Sequence, residues 1–301
     1  MHPVAAALRE RPPGARIALV VEGGGMRGAV SGGMALALDE LGLAGAFDAA
    51  YGSSAGTLNA MWLVSGRVRE GIPTWTDPRL IAALISRRRA LLRRGPVVDV
   101  RGLVEERYEQ LSPGLFAAVL AGSTELHPLA TDVGTGAAVD LHGAIADVRS
   151  LRLALRASAA LPFLAGDPVT LDGSRFVDAG LSAAIPFRAA LADGATHVLV
   201  LRSRIAGVAA RPPGRAGAAL TGAMLGRLGP EVAAAFRTRV EREQADEALL
   251  AAHDADPARE PCILSIRPPA GSPVPGRLER DVAIVRGGLE AGRLAAHAAL
   301  A

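Results

Sequence analysis

The sequence contains no lysine, few aromatic side chains and a single cysteine. All 33 basic residues are therefore arginines, and aromatic residues make up only 3% of the chain. Since 50% of the residues are hydrophobic, the core has to be built mainly from Ala, Leu, Val and Ile. The lone Cys262 excludes an internal disulfide and is typical of a reducing compartment, so we expect a cytoplasmic protein.

The charge balance gives no reason to expect a nucleic-acid partner. The 33 arginines are opposed by 30 acidic residues, which leaves a formal net charge of only +3. Nucleic-acid binders combine clustered basic side chains with stacking aromatic residues, and this sequence does not interleave the two. We interpret the abundance of Arg, Ala and Gly as the coding bias of a GC-rich genome.

Long apolar runs are also missing, which argues against a membrane-spanning segment. No uninterrupted stretch approaches the roughly 18 apolar residues that a transmembrane helix needs. Residues 1–16 contain no apolar segment of signal-peptide length. With Pro12 and Pro13 near its end, this segment is predicted to be a flexible leader.

The patterns that are present predict an α/β fold. Residues 17–21 form a continuous apolar run, as in buried parallel strands. A glycine-rich loop follows, then helical spacing over residues 29–41, a short strand over 47–51 and a second helix over 57–64. This order of strand, loop, helix and strand is the opening of a doubly wound sheet.

The remaining chain continues this alternation. Further strands are predicted at residues 126–131, 175–177, 198–201 and 263–266, a long helix at 231–253 and a Pro-, Gly- and Arg-rich loop at 207–217. We therefore expect a mostly parallel central sheet flanked by helices in three α/β/α layers. Residues 17–205 form the core of the domain. Residues 206–301 form a C-terminal helical region, with one further strand, packed on the same domain.

The strongest chemical signal is the pentapeptide Gly-Ser-Ser-Ala-Gly at residues 52–56, between a predicted strand and a predicted helix. A nucleophilic serine needs such a sharp turn, because its Oγ then stands clear of the backbone. Gly52 and Gly56 remove Cβ atoms that would clash in the turn. The helix that follows favours negative charge at its N-terminus. The pattern predicts Ser54 as a nucleophile.

A second glycine-rich turn also lies between a strand and a helix. Backbone N–H groups at a helix N-terminus are suited to stabilise the oxyanion of an acyl-transfer intermediate. Relief of strain in a turn would explain one or two glycines, but not four in six positions. We predict that this loop forms an oxyanion hole; its residues are Gly23, Gly24, Gly25, Met26, Arg27 and Gly28.

The general base is less obvious. None of the six histidines stands in a late loop of the kind that an α/β-hydrolase triad requires. A carboxylate can take the serine proton directly if it is held within hydrogen-bond reach. Asp178 ends a predicted strand and precedes a glycine turn, which suits a base, although a turn aspartate can equally act as a cap.

Together these motifs resemble the patatin-like phospholipase family of bacterial type. They are Gly-Gly-Gly-x-Arg-Gly at residues 23–28, Gly-x-Ser-x-Gly at 52–56 and Asp-x-Gly at 178–180, with Ala-Thr-Asp at 130–132 and Ala-Ser-Ala-Ala-Leu-Pro at 157–162. The resemblance extends over residues 17–200. It implies a Ser54–Asp178 dyad with Gly24 and Gly25 as the main oxyanion donors. Family members cleave acyl esters of phospholipids, lysophospholipids or neutral lipids without a metal, so the implied partner is a lipid or other acyl-ester substrate and no cofactor is expected.

Two positions depart from the family pattern. Ala179 replaces the middle glycine of the usual Asp-Gly-Gly or Asp-Gly-Ala, and Ala183 and Ala184 stand near the place of an Asn common in relatives. Because Ala adopts positive φ less readily than Gly, we expect an altered pose of Asp178 and a reduced activity. The same departure supports an alternative in which the chain is a non-catalytic, lipid-binding relative.

A Rossmann-type dinucleotide-binding oxidoreductase is the alternative from another class. Gly23, Gly25 and Gly28 satisfy the Gly-x-Gly-x-x-Gly fingerprint, and Asp48 follows at about the 20-residue distance of a ribose-binding acid. Against this, only one apolar residue of the predicted strand, Phe47, precedes Asp48, whereas a ribose-binding acid follows its strand. The fingerprint also leaves Ser54 unexplained.

An arginine-rich segment follows a predicted helix start at Asp77 and Pro78. Its apolar residues are predicted to share one face of a helix; they are Ile81, Leu84, Ile85, Leu91 and Leu92. The surrounding arginines are Arg87, Arg88, Arg89, Arg93 and Arg94. Such a helix is either a solvated flank or a basic amphipathic helix on an anionic membrane, which would make the protein peripheral at the membrane.

Overall fold

One sheet runs through the computed structural model, which describes residues 1–205 and 214–301. Among these residues the sheet has eight strands: β1 Ile17–Val21, β2 Ala49–Ser53, β3 Glu125–Asp132, β4 Ala138–Asp140, β5 Val169–Leu171, β6 Ser174–Asp178, β7 His197–Leu201 and β8 Cys262–Ile266. Their order is β5-β6-β3-β2-β1-β7-β8, and β4 pairs with β3. The five neighbouring strands β3, β2, β1, β7 and β8 are parallel. β4 and β6 each pair antiparallel with β3, and β5 pairs antiparallel with β6.

Helices occupy the connections. They are α1 Pro3–Arg9, α2 Gly28–Glu40, α3 Ala55–Val64, α4 Val68–Gly71, α5 Pro78–Leu84, α6 Arg87–Leu91, α7 Val100–Gly102, α8 Tyr108–Leu111, α9 Leu115–Ala121, α10 Val148–Ser158, α11 Phe187–Ala192, α12 Arg215–Gly226, α13 Pro230–Ala255 and α14 Val282–Leu300. Short 3₁₀ turns lie at Gly25–Arg27, Ile72–Thr76, His142–Ala144 and Ala179–Leu181, and Leu103–Arg107 is π-helical.

Helices cover both faces of the sheet, because its central strands are apolar on both sides. Successive side chains of β1 point to opposite faces. Leu19 packs in one core with Met34 of α2, whereas Val20 packs in the other with Phe187 of α11 and Leu250 of α13. This is the three-layer α/β/α architecture with a mostly parallel sheet that the sequence predicts.

The C-terminal third completes the same layers. β8 extends the sheet in parallel beside β7, with Leu264 opposite Leu199. α13 contacts β8, and α14 packs along α2. The loop predicted over residues 207–217 lies outside the described residues as far as residue 213, and α12 already begins at Arg215.

Residues 1–16 are not a free leader. Pro3–Arg9 form α1, in which Val4 and Leu8 are buried, and this helix contacts β7 and β8. The flexible leader expected from Pro12 and Pro13 is therefore wrong for most of its length, because an apolar face over residues 4–8 gives the segment a surface to bury.

The arginine-rich segment is not one amphipathic helix. α5 ends at Leu84, Ile85 pairs with Val98 in an isolated bridge, and Ser86 caps the short α6. Ile85 is buried, whereas Leu91 is 83% exposed, so the apolar residues do not share one face. No helix in the described part of the chain is both long enough and apolar enough to cross a bilayer.

Candidate active site

Ser54 lies in the turn between β2 and α3. Its backbone has φ 53° and ψ −125°, a conformation that costs a non-glycine residue about 1–3 kcal/mol. The cost is tolerated because β2 and α3 are both anchored in the core and leave a single residue to reverse the chain. Strain of this kind directs a serine Oγ away from the backbone.

The glycines on either side of Ser54 are required by packing. A Cβ on Gly52 would lie 2.3 Å from the Cα of Thr57, and a Cβ on Gly56 would lie 2.3 Å from the carbonyl oxygen of Val21. Both distances are far inside van der Waals contact with backbone atoms. Any larger residue at either position would therefore push β1, β2 and α3 apart.

Asp178 contacts Ser54 directly. Ser54 Oγ donates a hydrogen bond to Asp178 Oδ2 at 2.6 Å. β6 runs antiparallel to β3 and ends with Asp178 opposite Ala130, which brings the carboxylate to the turn at the end of β2. The structure thus brings together the two residues predicted as nucleophile and base.

The environment of Asp178 favours basicity. The carboxylate is 3% exposed, and its Oδ1 accepts a hydrogen bond from the Gly180 N–H at 2.8 Å. Burial raises the pKa of Asp178, although the hydrogen bonds from Ser54 and Gly180 and the charge of Arg277 oppose the rise. A carboxylate with a raised pKa is the stronger base toward a serine hydroxyl.

Ala179 does not disturb this arrangement. It begins the 3₁₀ turn Ala179–Leu181 and is not among the non-glycine residues with positive φ. The premise for an altered pose of Asp178 is therefore not met. The glycine that the carboxylate requires is Gly180, because a Cβ there would lie 2.8 Å from Asp178 Oδ1.

Ser158, the last residue of α10, holds the turn at Ser54 through hydrogen bonds. Its Oγ accepts a hydrogen bond from the Ser54 N–H at 3.1 Å and shares another with Thr57 Oγ1 at 2.7 Å. All three residues are buried. The sequence marks residues 157–162 only as a family segment, so this role of Ser158 is visible in the structure alone.

The glycine loop faces the same turn, and most of its N–H groups are engaged. Carbonyl groups accept hydrogen bonds from the N–H groups of Gly23, Met26, Arg27 and Gly28. In the described residues the N–H groups of Gly24 and Gly25 have no such partner, which leaves these two available for an oxyanion. The acceptor for Gly23 is the carbonyl of Ala184 at 3.0 Å. A backbone group therefore holds the loop near the place where relatives carry Asn.

No histidine approaches Ser54. None of the six, all of which lie in the described residues, lines either cavity at Ser54 or hydrogen-bonds to it. His127 instead contacts Asp140, and His297 contacts Glu40, each at 2.6 Å. The site therefore offers a serine and a carboxylate with no imidazole between them.

Two cavities meet at Ser54. The first, the apolar cavity, has an empty volume of about 730 Å³ and is lined by residues that include Leu58, Trp75, Ile81, Leu84, Leu103 and Tyr108. The second, the arginine cavity, has about 570 Å³ and is lined by Arg27, Arg204, Arg239 and Arg277 together with Asp178. Ser54 and Arg277 line both, so the serine predicted as nucleophile lies at the boundary between an apolar and a cationic space.

A buried ion pair lies under the glycine loop. Arg202 Nε donates to Glu22 Oε2 at 3.0 Å, and the Ser203 N–H donates to the same oxygen at 2.8 Å. Burial alone would raise the pKa of Glu22, but Arg202, Arg204 and the Ser203 N–H hold it below its usual range. Ser203 Oγ also donates to the Gly23 carbonyl at 2.9 Å, so this network fixes the start of the loop.

The dinucleotide-binding interpretation is wrong. Asp48 precedes β2 at its amino end, where its carboxylate accepts hydrogen bonds from the Ile17 N–H at 2.7 Å and from Arg11 at 2.8 Å. The glycine loop follows the carboxyl end of β1. A ribose-binding acid has to stand at the same end of the sheet as the glycine loop, and Asp48 stands at the other.

In the described part of the chain, one group of side chains has spacing compatible with a metal ion. It consists of Glu125, His127 and Asp193, and it lies at the amino ends of β3 and β7, away from Ser54. Arg16 forms salt bridges with both carboxylates, and His127 pairs with Asp140. His127 Nε2 has no hydrogen-bond partner in the described residues. Because the group lies at the opposite end of the sheet from Ser54, it does not argue for metal chemistry at the serine.

Comparison with known proteins points in the same direction as the geometry. A family model described as patatin-like phospholipase matches residues 19–191, a range that includes Ser54, Asp178 and the glycine loop. An uncharacterized protein of Escherichia coli (strain K12), YjjU, is 31% identical over 206 residues, which cover 65% of this chain and 54% of that protein. The chain thus spans about half the length of this relative.

Proposed function

The chain belongs to the patatin-like phospholipase family, a family of lipid acyl hydrolases, and from this premise we propose that it is a serine carboxylic ester hydrolase acting on (lyso)phospholipids or related lipids. The observation that carries the proposal is the 2.6 Å hydrogen bond from Ser54 Oγ to Asp178 Oδ2. The apolar cavity beside Ser54 supports an acyl chain as the bound group.

The proposed reaction has two acyl-transfer steps. Ser54 Oγ attacks the ester carbonyl carbon while its proton passes to Asp178. The carbonyl oxygen becomes an oxyanion that accepts hydrogen bonds from the N–H groups of Gly24 and Gly25. The ester C–O bond then breaks, and the leaving alcohol takes the proton from Asp178. Water attacks the acyl-Ser54 in the same way, giving a proton to Asp178, which returns it to Ser54 as the fatty acid leaves.

Labelling and turnover test the nucleophile. The protein is expected to hydrolyse a p-nitrophenyl acyl ester and to be labelled by a fluorophosphonate, and Ser54→Ala is expected to lose both. Ser53→Ala is the matched control, because Ser53 is also buried and its Oγ has no hydrogen-bond partner in the described residues. Fluorophosphonate labelling of a folded Ser54→Ala protein would contradict the assignment of Ser54 as nucleophile.

The dyad is tested separately. Asp178→Asn is expected to lose nearly all turnover, whereas substitutions of His142, His197 and His297 are expected to keep it. A folded histidine variant without activity would point to a triad. Binding of lipid vesicles by a folded wild-type protein that has no Ser54-dependent turnover would favour the non-catalytic, lipid-binding alternative.

Peripheral membrane contact is part of the same proposal. Leu91 is 83% and Leu92 48% exposed at the end of α6, next to four exposed arginines, which are Arg87, Arg88, Arg93 and Arg94. Exposed leucines among arginines suit insertion at an anionic lipid surface. The preceding helix α5 carries Ile81 and Leu84 of the apolar cavity, so a lipid held by this tip would be near the serine.

Arg89 is not one of the membrane contacts. Its guanidinium donates hydrogen bonds to the carbonyls of Ala83, Leu84, Pro96 and Val97 at 2.7 to 3.2 Å, which ties the segment together. A test should therefore neutralise the four exposed arginines and keep Arg89. Binding to vesicles with anionic lipid is expected to fall in that variant and in Leu91→Ser/Leu92→Ser, but not in Arg101→Gln. Unchanged vesicle binding by both variants would refute membrane contact at this tip.

A further inference from the structure

The arginine cavity carries more positive charge than its surroundings neutralise. Asp178 lines it beside the four arginines, and two further carboxylates lie behind it. Glu243 accepts a hydrogen bond from Arg204 at 2.8 Å and lies 3.4 Å from Arg239 Nε. Glu22 lies 3.4 Å from Arg204 Nε but is already paired with Arg202. Each of these two carboxylates is thus shared between two guanidinium groups.

The other two arginines, Arg27 and Arg277, differ from this pair. Within the described residues neither Arg27 nor Arg277 forms a salt bridge. Arg277 reaches the reaction centre, since its charge acts on Asp178 and its carbonyl accepts the Met26 N–H at 3.0 Å. Arg27 lies against the glycine loop, because a Cβ on Gly24 would stand 3.2 Å from Arg27 Nε.

These guanidinium groups have unused donors in a sheltered place. The side chains of Arg204 and Arg239 are only 10% and 18% exposed. The Nε atoms of Arg27, Arg204 and Arg239 are buried without a hydrogen-bond partner in the described part of the protein. Those of Arg204 and Arg239 face Glu22 and Glu243 at 3.4 Å, whereas Arg27 forms no salt bridge there. Buried donors without acceptors are costly. A ligand with several anionic oxygens in the cavity would supply acceptors for the guanidinium groups that line it.

Electrostatics points the same way. Burial, and then the charge of Arg277, lower the pKa of Arg27 to about 10. Burial also lowers the pKa of Arg239, against the pull of Glu243 and with the help of Arg277 and Arg204. Arg27 and Arg239 are therefore repelled by neighbouring cations, whereas at Arg204 the charges of Glu22 and Glu243 outweigh burial and raise the pKa. An anion bound among the arginines would relieve the repulsion at Arg27 and Arg239.

The position of the cavity relative to the acyl site identifies the kind of ligand. Gly25, Ser54, Leu161 and Arg277 line both cavities. A molecule whose ester carbonyl lies at Ser54 can therefore extend an acyl chain into the apolar cavity and its other end among the arginines. An anionic head group suits the second space, whereas a quaternary ammonium would meet like charge there.

We propose that Arg27, Arg204, Arg239 and Arg277 form a head-group subsite for a phosphate monoester, so that the preferred substrate is an anionic (lyso)phosphatidate, not a choline phospholipid or a neutral glyceride. The proposal rests on the proposed function, because it assigns the leaving side of the ester that Ser54 attacks. It makes the four arginines specificity-determining residues that bind the substrate away from the scissile bond.

Three substrates with the same acyl chain test the preference. They are lysophosphatidate, lysophosphatidylcholine and monoacylglycerol, each presented in the same mixed micelles. We expect kcat/KM for lysophosphatidate to exceed that for each of the others by about tenfold or more, since charge-assisted hydrogen bonds are the strong ones. Equal kcat/KM values, with p-nitrophenyl butyrate hydrolysis that still depends on Ser54, would overturn the head-group proposal and leave the proposed function standing. Absence of Ser54-dependent p-nitrophenyl hydrolysis would overturn both.

Matched variants on α13 locate the effect. Arg239→Gln is expected to lower the ratio of kcat/KM on lysophosphatidate to that on monoacylglycerol by about tenfold. Arg237→Gln is the control, because Arg237 is exposed on the same helix and does not line the cavity. Arg277→Gln, at an exposed position outside any helix, provides a second test should Arg239→Gln fail to fold. An unchanged ratio in the folded variants would overturn the assignment.

Inhibition separates a lipid head group from a free anion. Glycerol 3-phosphate is expected to inhibit p-nitrophenyl butyrate hydrolysis competitively, whereas glycerol is expected to have no effect, and inorganic phosphate to inhibit more weakly. Inhibition by inorganic phosphate equal to that by glycerol 3-phosphate, combined with no preference among the three lipids, would mean a site for a free anion and would overturn the substrate class.

Discussion

The backbone N–H of Ser54 donates a hydrogen bond to Ser158 Oγ at 3.1 Å, so a serine from α10 holds the strained turn that presents the proposed nucleophile. Ser158→Ala leaves the Ser54 N–H and Thr57 Oγ1 without this buried partner, which typically costs about 1–3 kcal/mol of folding free energy. We expect kcat to fall more than KM rises, because the turn moves and the apolar cavity does not. Thermal unfolding and kinetics on a p-nitrophenyl ester measure the two effects.

Ser31→Ala is a control, since Ser31 is also buried but forms its hydrogen bonds within α2 and to Asn59. A Ser158→Ala enzyme with wild-type kcat would contradict the positioning role.

The residues after Asp178 give a paired prediction. Gly180→Ala is expected to lose most activity, because the new Cβ would stand 2.8 Å from Asp178 Oδ1 and displace the carboxylate from Ser54. Ala179→Gly, which restores the usual family residue, is expected to change activity little and to cost about 0.5–1 kcal/mol of stability through backbone entropy. Parallel measurement of kcat/KM and unfolding in both variants decides the matter. A strong gain in activity in Ala179→Gly would mean that Ala179 does impair the site.

The activity should depend on the ionisation of Asp178. Because burial raises its pKa, kcat/KM is expected to decline on the acid side at a pH above 3.8, the usual value for an aspartate. Below that folded-state pKa the carboxyl group holds a proton and cannot accept another from Ser54. A pH profile of kcat/KM reports this group in the free enzyme. An acid limb below the usual aspartate value would contradict the assignment.

The raised pKa of Asp178 also predicts that this residue lowers the free energy of unfolding at neutral pH. A carboxyl group whose pKa is higher in the folded than in the unfolded state destabilises the fold as pH rises through that interval and above it. At neutral pH Asp178→Asn is therefore expected to be inactive and at least as stable as the wild type, since Asn keeps an acceptor for the Gly180 N–H. Denaturant unfolding at pH 7 and at pH 4 tests this, and the advantage of Asp178→Asn should shrink at the lower pH. A variant that is clearly less stable at both pH values would argue against a strained, ionised Asp178.

The apolar cavity predicts a change in chain-length preference. Leu84 lines it and is only partly buried, so Leu84→Trp fills cavity space at modest cost to the fold. We expect kcat/KM for a long-chain p-nitrophenyl ester to fall about tenfold relative to the butyrate, since hydrophobic pockets discriminate by about 1–3 kcal/mol. Leu294→Trp, at an exposed leucine of α14, is the control. An unchanged ratio would mean that the acyl chain binds elsewhere.

Much of the fold follows from local pattern. The apolar run at residues 17–21 and the glycines after it predict a buried strand and a turn from local pattern alone. The same holds for β2 and the turn at Ser54. Since neighbouring parallel strands end at one edge of the sheet, the glycine loop and Ser54 could be expected to lie side by side. The short antiparallel strands β4 and β5, of three residues each, carry too little periodicity to be predicted.

Other features could not be predicted from the sequence because they depend on contacts between distant segments. The helix over residues 3–9 was not predicted, because the prolines that follow it favour an irregular segment. Its apolar side chains stabilise a helix because they pack against β7 and β8. In the arginine-rich segment the apolar residues fit a helical period, but the bridge between Ile85 and Val98 breaks that helix.

The sequence by itself determined which groups are proposed to carry the chemistry: a serine in a sharp turn, a glycine loop after a strand and an aspartate at the end of another strand. Only the tertiary structure decided which of them meet. β6 pairs with β5, which precedes it in the chain, and with the distant β3, but not with β7, which follows it. The pairing with β3 brings Asp178 to Ser54. Likewise Arg27, Arg204, Arg239 and Arg277 come from four separate segments and share one cavity because of how those segments pack. Contacts across such sequence distances depend on strand order and packing, which no local period encodes.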